Sequence, residues 1–184
     1  LMIRRPPRAT LDRSSAASDV YKRQGIYEIL PNRFGAGIIQ NNFELLGEIK
    51  YTDTEIEYAN TILKETGKEL KGLDGTIKPL RPTLPATGGS TDVGDVSQVV
   101  PVVRLRTTTA AKDGPWHSWA VVACTGMSIG HKGMIYASKA LAMTMLDLYK
   151  NPKLIDGVRK EFLVRKGDRV YVPQIPPGPP KLID

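Results

Sequence analysis

Cysteine is all but missing from this chain. Cys124 stands alone in 184 residues, which rules out an intrachain disulfide framework and fits a reducing, cytoplasmic setting. Histidine is nearly as scarce, with only His117 and His131, so chemistry built on imidazole has two places to be. No run of about 18 apolar residues occurs, so no membrane span is expected, and the amino-terminal stretch lacks the apolar core of a secretion signal. Acids are the minority charge, and the net +7 invites a nucleic-acid reading. Distribution argues against it: residues 1–24 carry Arg4, Arg5, Arg8, Arg13, Lys22 and Arg23 against Asp12 and Asp19, more than half of the excess. Arg104 and Arg106 lack interleaved aromatics and belong to no nucleic-acid module.

What is present suffices for one core, with 41% hydrophobic residues. Residues 1–24 resemble translated read-through of a sequencing adapter and are read as a non-native or disordered segment. On that reading the protein's own sequence starts near Gly25 and is truncated. From there apolar runs and helical periodicities alternate. GIYEIL at 25–30 suits a strand, and Pro31-Asn32 opens a helix with Ile38, Ile39, Asn42, Phe43 and Leu46 on one side. Thr52 with Glu55 is a capping-box pattern, and Ile56, Ala59 and Leu63 follow at helical spacing until Gly67. Pro79, Pro82 and Pro85 keep the next segment extended. The β-branched run within Ser97–Thr109 and the apolar stretch Ala120–Cys124 are expected as strands. A long helix is expected over Lys132–Leu148, and Asn151-Pro152 caps one more, reaching about Leu163. The proline-rich YVPQIPPGPP is expected to run extended over the surface. Helices alternating with strands imply an α/β fold.

Chemistry concentrates between Gly88 and Met134. GGSTDVGDVS sets Asp92 and Asp95 in a glycine loop, DGPWHSW puts His117 near Trp116 and Trp119, and TGMSIGHKGM brings His131 to a helix start. A histidine in a Gly-Pro loop between apolar segments can be held rigidly at a pocket floor, with the two indoles excluding water. Asp92 and Asp95 can orient a ligand histidine, line a substrate pocket, or cap the backbone of the turn. His131, Lys132 and the free donors of the helix terminus can receive a substrate carboxylate, or His131 packs under the loop. TGMSIGHKG and YASKAL also resemble short-chain dehydrogenase motifs. There the spacings fail, because Tyr136 and Lys139 are three apart instead of four and the two motifs overlap. A nicotinamide-binding fragment and a noncatalytic interaction fragment remain the alternatives.

In this order, GSTDVGDVS, HSW and SIGHKGM resemble the carboxy-terminal end of the metal-dependent amidohydrolases of the aminoacylase and carboxypeptidase clan, metallopeptidase family twenty. Within it they resemble the aminobenzoyl-glutamate hydrolase branch. Gln98 departs from that branch, which often has tryptophan there. The resemblance implies the carboxy-terminal half of a mixed-sheet catalytic domain over 34–184, with helices packed on the sheet. EILPNR would be the end of a lid or dimerisation domain, within 25–33. It further implies hydrolysis of the amide bond of an N-acyl amino acid, an aminobenzoyl-glutamate-like compound or a small peptide, in a homo-oligomer or with a related subunit. Two divalent ions, zinc or manganese, would serve it, with His117 as a ligand. Ser90, Asp92, Asp95 and His131 would act on substrate or orient ligands. The glutamate base and the remaining ligands have no counterpart here, so a fragment of this kind is expected to be inactive alone.

Overall fold

A computed structural model describes residues 26–81, 91–174 and 178. Six helices make up the regular structure, and no β-strand occurs among the described residues. The expected mixed sheet is therefore corrected to an all-helical arrangement joined by extended segments.

The helices with local start signals lie where those signals place them. Helix α1 (Arg33–Leu46) begins after Asn32, whose Oδ1 accepts from the Gly35 N–H at 2.8 Å. Helix α2 (Asp53–Glu65) carries the complete capping box. The Glu55 N–H donates to Thr52 Oγ1 at 3.3 Å and the Thr52 N–H to Glu55 Oε2 at 2.7 Å. Helix α6 (Pro152–Lys166) opens with Pro152 at a first-turn position, behind the cap Asn151.

The expected strands fare differently. Ala120–Cys124 lies in helix α4 (Trp119–Thr125), started by Ser118, whose Oγ accepts from the Ala120 N–H. Five apolar residues do not define a period, so a cap in front of them decides for helix. Ser97–Thr109 divides into the end of helix α3 (Val93–Val99) and an extended stretch in which residues 101–109 donate no backbone hydrogen bond to another described backbone. Residues 26–30 also lack regular structure and are fastened by a side chain, since the Leu30 N–H donates to Ser97 Oγ at 2.9 Å. A strand exists only with a ladder partner, and these segments have none among the described residues.

Helix α5 (Ser128–Lys150) starts one turn earlier than its apolar period suggests. Together α2, α4 and the start of α5 enclose the core, with Ala59, Ile62, Leu63, Ala120, Cys124 and Ile129 all buried. Helix α1 lies across α5 and α6. Its buried Asn42 donates to Thr144 Oγ1 (3.1 Å) and Asp147 Oδ2 (2.8 Å) of α5. Two of the three glycines of TGMSIGHKG, Gly130 and Gly133, are packing glycines. A Cβ at Gly130 would overlap the Thr125 backbone, and one at Gly133 the Thr108 carbonyl, so close approach accounts for a spacing that otherwise resembles a phosphate loop.

Candidate functional site

The loop carrying His117 is built by short-range bonds. The Gly114 N–H donates to the Ala111 carbonyl (3.2 Å), and Ser118 Oγ donates to the Pro115 carbonyl (2.6 Å) while capping α4. Between these fixed points His117 takes φ 58°, with Asp113 at 59°. Both lie in the left-handed region that costs a non-glycine residue on the order of 1 kcal/mol. Strain held by the surrounding bonds, on a histidine, motivates a functional reading. His117 itself is exposed, and so are its neighbours, Trp116 at 70% and Trp119 at 56%. The indoles do not close over the imidazole.

The other candidates are placed differently from one another. Asp92 is exposed just ahead of α3 and its side chain makes no capping bond. Asp95 accepts from the Tyr27 N–H at 3.3 Å and the Tyr171 hydroxyl at 3.0 Å, so it ties segment 26–30 to the chain leaving α6. Tyr27 and Tyr171 add a tilted ring contact at 5.5 Å. His131 lies exposed in the first turn of α5. Ser90 lies outside the described residues.

Lys132 turns inward instead of toward an incoming anion. Its Nζ meets the buried Glu55 at 2.6 Å and the Lys50 carbonyl at 3.0 Å. Ser128 Oγ adds a 2.7 Å bond to the same carboxylate. Burial pushes the Glu55 carboxyl up, but the bonds from Lys132, Ser128 and the Thr52 backbone, with the Lys132 charge, prevail and bring it down to about 2. This cluster fastens α2 to α5 and was not legible in the sequence, because its partners are 77 positions apart.

No three His, Cys, Asp or Glu side chains among the described residues converge to hold a metal ion. A catalytic zinc usually takes three protein ligands, so the described residues do not by themselves fit one, and His117 supplies at most one nitrogen. No helix among the described residues is long and apolar enough to cross a membrane.

The chain is 35% identical over 89 residues to one of the subunits of p-aminobenzoyl-glutamate hydrolase from Escherichia coli (strain K12), 48% of this chain and 18% of that protein. It is 39% identical over 74 residues to Xaa-Arg dipeptidase of Mus musculus, 40% of this chain and 17% of that protein. The matched stretch thus spans less than a fifth of either relative. No family profile matches, and no solved structure matches. Both relatives are hydrolases by name.

Proposed function

We propose that this chain forms part of a metal-dependent amidohydrolase of metallopeptidase family twenty, acting on an N-acyl amino acid, an aminobenzoyl-glutamate-like compound or a small peptide. Similarity to two named hydrolases carries the reading. The strained backbone of His117 supports the choice of residue. In this reading His117 would contribute one imidazole nitrogen to a centre of two divalent ions, zinc or manganese, which when bound would supply polarisation of the amide carbonyl and activation of water. Ser90, Asp92, Asp95 and His131 then serve substrate or the orientation of ligands. The remaining ligands and the general base belong to a longer polypeptide, so the chain of 184 residues has no turnover alone. Association with a second copy or a related partner chain, in the cytoplasm, completes the proposal.

The test is a chimera in which the 89 matched residues of this chain replace their counterpart in the Escherichia coli relative. Metal-dependent release of glutamate from p-aminobenzoyl-glutamate is expected. His117→Ala should remove metal and turnover together, whereas Asp92→Asn should keep metal and slow turnover by about 10–100-fold. Full metal occupancy in the histidine variant would overturn the assignment.

A further inference from the structure

We propose that the groove between α1, α5 and the extended segments around residues 74–78 and 106–108 binds a small carboxylate with an apolar or aromatic body. Its volume of about 320 Å³ matches the lower end of small-molecule sites. One wall is hydrocarbon: the Phe43 and Tyr136 rings stack at 5.5 Å and 26°, beside Ile49. The Tyr136 hydroxyl is spent on the Gly47 and Phe43 carbonyls (2.7 and 3.3 Å), so this residue adds its ring rather than a free donor.

The lining also holds an unpaired cation. Arg106 lines the groove and makes no hydrogen bond or ion pair to another described residue. Its planar fork of N–H donors is therefore free to take a carboxylate through two parallel bonds. Lys78 also lines the groove, but its Nζ is committed to Asp74 at 3.0 Å and to Thr76 Oγ1 at 2.6 Å. Asp74, also in the lining, is already neutralised, by Lys78 at 3.0 Å and Lys112 at 3.1 Å. The bonds from Thr76, Lys78 and Lys112 hold its carboxyl well below the usual range.

The threonine hydroxyls are also committed. Thr76 donates to Asp74, Thr107 to the Gly133 carbonyl and Thr108 to the Asp74 carbonyl. Of the charged groups in the lining, Arg106 is thus the one left to receive an anion. A neutral polar ligand gains less from the guanidinium, because it lacks the charge and the paired oxygens of a carboxylate, and a compact inorganic anion leaves the aromatic wall unused. The site uses neither His117 nor the paired acids, so it stands apart from the hydrolase reading.

Benzoate is the probe, titrated into the 15N-labelled full chain at constant ionic strength and followed by amide NMR. Saturable shifts at residues 75–78 and 106–108 are expected, with a Kd on the order of 1 mM for so small a ligand. Arg106→Gln should weaken binding at least about 10-fold with unchanged circular dichroism, since the side chain is exposed. Benzamide and inorganic phosphate should each bind at least about 10-fold more weakly than benzoate. The proposal falls if Arg106→Gln keeps its affinity, if benzamide matches benzoate, or if no saturable shift appears by about 20 mM. Phosphate matching benzoate would also overturn it, by showing a general anion site.

Discussion

Replacing Glu55 with glutamine keeps the side-chain shape and an oxygen for the Thr52 N–H, but removes the charge that holds Lys132. Glu55 is 8% exposed and sits at 2.6 Å from Lys132 Nζ, so solvent screens the carboxylate little. A carboxyl near 4.5 in the unfolded chain and about 2 in the folded one corresponds to ~3 kcal/mol at neutral pH. Because the folded value is the lower one, this contribution is complete above about pH 5 and is lost as pH falls toward 2. Glutamine has no such dependence. Urea unfolding at 222 nm should place Glu55→Gln about 2 kcal/mol below the parent at pH 7, part of the gap being offset by the retained Thr52 bond. The gap should narrow by about 2 kcal/mol at pH 3. Other depressed acids, such as Glu161, are present in both proteins and cancel in the difference. A gap that stays constant from pH 7 to pH 3 would refute the role given to the Glu55 charge.

Further outcomes test the packing and the strained loop. Gly94→Ala should lower stability by more than about 2 kcal/mol, because a Cβ there overlaps the Tyr27 carbonyl; an unchanged urea midpoint would show that segment 26–30 yields freely. Asn42→Ala should cost about 1–3 kcal/mol by removing a buried donor from Thr144 and Asp147, and a smaller loss would mean that water replaces the amide. His117→Gly should be about 1 kcal/mol more stable than His117→Ala, since only glycine tolerates φ 58° without strain. Equal unfolding midpoints would remove the evidence for stored strain.

Much of the helical layout was legible because its signals are local. The Asn32 and Asn151 caps and the Thr52–Glu55 box act over two or three residues, within reach of chain stiffness alone. Ala120–Cys124 reads as a strand when its apolar run is given more weight than Ser118, the cap two residues ahead of it; the helix shows that the cap prevails. For the candidate site, chemistry was readable and conformation was not. His117 could be picked out by residue type and surroundings, whereas its left-handed backbone depends on how the loop closes onto α4.

The sequence by itself determined where three of the six described helices begin, that Cys124 has no intrachain disulfide partner, and that one of two histidines sits between tryptophans. Tertiary structure decided the rest. It gave Lys132 to Glu55 instead of to a ligand, made Asp95 a tie between distant segments, and left Arg106 unpaired beside an aromatic wall. It also left the valine-rich run extended without a ladder among the described residues. The reason is common to all four: each depends on partners many positions away, and residue type states what a group can bind without stating what the fold brings within reach.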